Sequence, residues 1–96
     1  MSIYLTALIK SKPGQAEVLK QHLLELVSHS TQEVACLQYD LHQVDTDPDM
    51  YIFHEEWSDA EGLAFHNAQP HIQAFINNTY DLRDGDIIIY KTQPVR

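Results

Sequence analysis

From Cys36 to Trp57 the chain alternates twice, and that pattern limits the folds open to it. In CLQYDLHQV, Cys36 to Val44, the side chains of Leu37, Tyr39 and Leu41 fall on one side of an extended chain. Gln38, Asp40 and His42 fall on the other. In MYIFHEEW, Met50 to Trp57, the residues Tyr51, Phe53, Glu55 and Trp57 share one face, and Ile52, His54 and Glu56 share the opposite one. Between them lies DTDPD, a cluster of turn formers with Pro48 inside it. Two period-two runs joined by so short a turn pair as an antiparallel hairpin. Whatever flanks the hairpin must extend its sheet or cover it.

Residues 3–9, IYLTALI, read as a further strand with apolar side chains on both faces: Ile3, Leu5, Ala7 and Ile9 on one, Tyr4 and Leu8 on the other. SKPG breaks the chain, and a helix follows from about Gln15 to Ser30. Its stripe of Ala16, Leu19, Leu23, Leu26 and Val27 turns to a core. His22 and His29 lie near the edge of the stripe and read as partly solvated helix positions. After the hairpin, Ser58-Asp59-Ala60-Glu61 matches a capping box, with Ser58 as the cap of a helix reaching about Asn67. Pro70 suits the first turn of a second short helix, to about Asn78. Asp84-Gly85 marks a turn, and DIIIYK reads as a last strand covered on both faces.

The resulting order, βαββαβ, spans residues 1–96 as one domain and predicts an α+β, ferredoxin-like fold. Its four-stranded antiparallel sheet carries the helices on one face. The other face is apolar on the first and last strands, so the expected cover is protein, namely a homodimer with its two sheets packed together.

Charge narrows the partners. Six Lys and Arg face fourteen Asp and Glu, for a net charge of −8. Nucleic acid demands a basic footprint and an anionic membrane repels such a chain, so neither is expected as a partner. No apolar run reaches the ~18 residues of a membrane span. MSIYLTALIKSKPG lacks the basic start of a secretory signal. The lone Cys36 allows no internal disulfide. A cytoplasmic protein is the expectation.

Chemistry concentrates in Glu55 to His71, EEWSDAEGLAFHNAQPH. His66 and His71 are five apart across Pro70, not the three or four that place two ligands on one helical face. No pair among the six histidines has diagnostic metal spacing, so no metal is expected. Cys36 reads as a buried, inert spacer. Gly14, Gly62 and Gly85 are too scattered to make a nucleotide loop. What remains is a small-molecule pocket. In it Tyr51, Phe53 and Trp57 would wall in the Glu55 carboxylate, Leu63 and His66 would face the sheet, and His71 would share a helix face with Phe75. A buried acid or imidazole needs a partner or a purpose, which singles out Glu55 and His66.

Four pieces in this order resemble the antibiotic biosynthesis monooxygenase family, which includes quinol monooxygenases. They are KPG (Lys12, Pro13, Gly14), ExxCLxY (Glu33, Cys36, Leu37, Tyr39), ExW followed by Asp (Glu55, Trp57, Asp59), and a helix ending in His followed by PH (His66, Pro70, His71). Ala35 stands where the family usually has glycine. The resemblance implies a dimeric α+β barrel with a cavity in each subunit. It implies oxidation of a small phenolic, quinol or polyketide-like aromatic by O2 with no metal, flavin or other cofactor. In such a site His66 would take the phenol proton, and Glu55 would orient an imidazole or the substrate hydroxyl. Tyr51, Trp57 and Phe75 would hold the ring. From a phenol near ~10 to an imidazole near ~6.5 the transfer costs about 5 kcal/mol, which an oriented hydrogen bond must offset. AFHNAQPH is also similar to enzymes that isomerise a phosphorylated quorum-sensing signal, and a non-enzymatic binding dimer is a third reading. Haem degradation is not expected, because His66 stands where that chemistry has a Trp, and Ile76 or Asn77 where it has a His.

Overall fold

The computed structural model describes residues 1–96. Four strands, β1 (Ile3–Lys10), β2 (Cys36–Val44), β3 (Asp47–Trp57) and β4 (Ile88–Thr92), form one sheet in the order β2-β3-β1-β4. Every neighbouring pair is antiparallel. Three helices, α1 (Ala16–Ser30), α2 (Ala60–Asn67) and α3 (Pro70–Asn78), complete the ferredoxin-like α+β fold, with a single 3-10 turn at Tyr80–Leu82.

Alternation decides which side chains meet the helices. Leu5, Ala7 and Ile9 of β1, Tyr39 of β2 and Tyr51, Phe53 and Trp57 of β3 are buried together with Leu19, Leu23 and Leu26 of α1 and Phe75 of α3. Each leucine, isoleucine or phenylalanine among them contributes about 1.5–3 kcal/mol by leaving water. Glu55 sits on the same buried face. The opposite face of the sheet carries no helix, and the chain measures only 19 Å along its shortest axis.

Several sequence expectations need correction. Leu37 does not point with Tyr39. Cys36 pairs with Trp57 and Gln38 with Glu56, so Leu37 is the extra residue of a β-bulge and its side chain is exposed. Cys36 itself is half-buried rather than buried. The hairpin turn is only Asp45-Thr46, and β3 starts at Asp47. Pro48 is tolerated there because β1 pairs only with Met50 to Trp57, so its missing N–H breaks no bond to β1. The cap of α2 is Asp59, not Ser58: its extended backbone sets its carboxylate 2.7 Å from the Gly62 N–H, which it accepts. In this single chain β4 starts at Ile88 and all five of its residues are exposed.

Candidate active site

A cavity of about 130 Å³ lies between the sheet and the helices. Leu5, Ala7 and Ile9 form its floor, and Phe75, Ile72 and Ile76 of α3 close it from the helix side. Ile87 and Ile89 bound it where β4 forms the sheet edge. Glu55 and His66 are the ionisable groups in its wall apart from the Tyr39 phenol; no lysine or arginine lines it.

His66 reaches this position from the last turn of α2. Its ring packs 4.2 Å from the Trp57 indole and 5.8 Å from the Tyr39 ring, centroid to centroid, and the residue is only 4% exposed. Nδ1 lies 2.7 Å from Oε2 of Glu33, which stands in the connection between α1 and β2. A carboxylate only accepts, so Nδ1 carries the hydrogen and Nε2 keeps its lone pair. Burial pushes the His66 pKa below its ordinary value; the Glu33 carboxylate opposes that shift and His71 adds to it.

Glu55 accepts a 2.9 Å bond from the Trp57 indole N–H. Burial raises its pKa above the usual carboxylate range, and the indole bond offsets this only in part. The Tyr39 hydroxyl is driven well above the ordinary phenol range by burial and then by the Glu55 charge. Tyr39 is therefore a neutral wall of the cavity.

The pocket residues named from the sequence are divided by the fold. Phe53, Glu55, His66 and Phe75 line the cavity. Trp57 does not: it is fully buried behind His66 and bonded to Glu55. Tyr51 does not either, for its hydroxyl donates to the Ala16 carbonyl at 2.9 Å beneath α1. Leu63 packs at the margin of the core, away from the cavity wall. His71 faces a separate recess of about 70 Å³ with His22, Glu25 and His29, and its ring stacks on His29 at 5.2 Å. Glu55 orients no imidazole, as Glu33 holds that place. Glu33 belongs to the ExxCLxY motif, yet nothing in its spacing points to His66, because the path of a connection has no periodicity.

Residues 2–78 match the family described as antibiotic biosynthesis monooxygenase. The chain is 31% identical over 91 residues to the Bacillus subtilis protein called "Putative monooxygenase YcnE", covering 95% of this chain and 96% of that protein. The crystal structure of PA3566 from Pseudomonas aeruginosa is similar at a TM-score of 0.92 and 33% identity, over 99% of this chain and 95% of the other. A second crystal structure, described as an antibiotic biosynthesis monooxygenase, gives a TM-score of 0.91 at 28% identity over 98% and 99% of the two chains. The chain belongs to the antibiotic biosynthesis monooxygenase family.

Proposed function

We propose that the protein oxidises a small phenol or hydroquinone with O2 in the cavity between sheet and helices, without a cofactor. The observation that carries this reading is the buried His66, held through Nδ1 by Glu33 in the wall of an apolar cavity. Nε2 of His66 would take the phenolic proton. The imidazolium so formed would keep its Nδ1–H on the Glu33 carboxylate, which orients the ring and favours its charge. The phenolate would then pass an electron to O2, and the two radicals would join as a ring peroxide that takes its proton back from the imidazolium. Loss of water would leave the other oxygen as a quinone carbonyl, so the substrate itself is the reductant. Apolar walls exclude bulk water from the reactive anion.

Size favours a single ring. An engineered apolar cavity of ~150 Å³ takes benzene, so about 130 Å³ suits a hydroquinone better than a polycyclic polyketide. Isomerisation of a phosphorylated substrate is less well supported, since no cation lines the cavity to anchor a phosphate. We also propose a homodimer formed through the open sheet face, where Tyr4, Leu8, Ile52, Ile88 and Tyr90 follow the outward alternation of β1, β3 and β4.

Oxygen uptake by metal-stripped protein across a panel of hydroquinones and naphthols tests the reading. Hydroquinone-dependent uptake that His66→Ala abolishes, with far-UV circular dichroism unchanged, is the expected result. Uptake unaffected by the substitution removes His66 as the base. Binding of phenols without oxygen consumption would instead favour a ligand-binding module.

A further inference from the structure

Three donor groups from separate segments converge behind the cavity. Glu33 comes from the α1–β2 connection, His66 from the end of α2 and His71 from the first turn of α3. One ligand atom from each can be chosen so that all three lie within 4.8 Å of one another. The Glu33 and His66 side chains are 8% and 6% exposed, and that of His71 19%. The Glu33–His66 bond does not satisfy the group. Oε1 of Glu33 and Nε2 of His71 are buried with no hydrogen-bond partner, although His71 Nε2 stands 3.4 Å from Glu33 Oε2. Buried polar atoms are rarely left so, and two orphans in one three-residue group mark a place where an ion or a water would sit.

We propose that Glu33, His66 and His71 bind one divalent transition-metal ion of the kind that accepts imidazole nitrogen, such as zinc. Two neutral imidazoles and a carboxylate make a three-ligand set that leaves a coordination position open. Small side-chain shifts would bring the donors to the ~2.0–2.2 Å that zinc takes from nitrogen and oxygen. The ion would replace the hydrogen shared by His66 Nδ1 and Glu33 Oε2, and would engage the orphaned Nε2 of His71. The recess lined by His22, Glu25 and His29 leads to His71 and supplies an entry path. Coordination at Nδ1 moves the hydrogen of His66 to Nε2. The loaded protein then offers the cavity a donor where the metal-free protein offers a base.

The test is zinc binding by titration calorimetry on metal-stripped protein, with no aromatic present. It therefore stands or falls apart from the oxidation reading. The expected result is one equivalent of Zn²⁺ per chain, bound at least tenfold more weakly by Glu33→Gln and by His71→Ala. His42→Ala, on the opposite sheet face, should leave the affinity unchanged. Mg²⁺, which prefers oxygen ligands, should not compete. Zinc binding absent in the wild type, or equally tight in both site variants, overturns the proposal, as does equal competition by Mg²⁺. Should a variant unfold, the visible spectrum of the Co²⁺-loaded wild type decides. Intense bands of a four- or five-coordinate nitrogen–oxygen site support the proposal, and the weak spectrum of hexaaqua cobalt overturns it.

Discussion

Glu55 shows what one misplaced charge costs and why it is retained. Its carboxyl is buried, and the folded chain holds its proton more tightly than the unfolded chain does. Between the unfolded value of ~4.3 and the raised folded value, the native state binds more protons, so stability falls as pH rises through that window and stays low above it. Glu55→Gln keeps an oxygen for the Trp57 N–H and removes the charge. The variant should be more stable than the wild type at pH 7.5, with the advantage shrinking as the pH nears 4; urea denaturation at the two values checks this. Equal stability at pH 7.5 would mean that the ionised carboxylate is not penalised. Trp57→Phe acts in the opposite direction. It leaves the Glu55 oxygen without its donor and should cost about 1–3 kcal/mol by the same measurement.

At the level of elements, the entry to α2 meets the bulged entry to β2. A Cβ added at Gly62 would collide with the Cβ of Ala35, although the Gly62 backbone is ordinary for any residue. Here glycine is required by close approach, because the Ala35 methyl occupies the space that a side chain at Gly62 would need. Gly62→Ala should therefore destabilise the fold, by roughly the 1–3 kcal/mol of an overpacked site. Ala35→Gly in the same chain should restore most of that loss; thermal unfolding of the single and double variants reads the coupling. This contact also marks the limit of what was legible beforehand. The alternation in β3 is uninterrupted from Tyr51 to Trp57, so its buried face was readable residue by residue. The bulge at Leu37 inserts one residue and breaks the parity that any period-two reading assumes. Ser58 and Asp59 are both good caps, and Asp59 takes the place because its extended backbone brings its carboxylate to the Gly62 N–H. His66 and Glu55 were readable as buried polar residues. Glu33 was not, since its place depends on how a loop closes three segments onto one another.

The whole molecule is a two-layer fold with one sheet face left uncovered. Helices cover one face of the sheet, while the other presents Tyr4, Leu8, Ile52, Ile88 and Tyr90, with Leu8 of β1 paired to Ile52 of β3 and to Ile88 of β4. Two such faces packed together would lie about 10 Å apart. An aspartate at Ile52, near the middle of that face, should convert a dimer to a monomer in sedimentation velocity while leaving the zinc affinity of the distant Glu33 cluster unchanged. A wild type that sediments as a monomer at high concentration would remove the dimer. β4 would gain most from such a partner. It is bonded on one side only, to β1, yet its Ile89 helps to bound the cavity. A wall built from the sheet's outermost strand can open without disturbing the rest of the fold, because few bonds must break. Its amide hydrogens should exchange with solvent far faster than those of β1 or β3, and a ring lodged against Ile89 should slow them. If so, the pocket's volume would be a time average, set by the opening of one five-residue strand as well as by the packing of the core behind it.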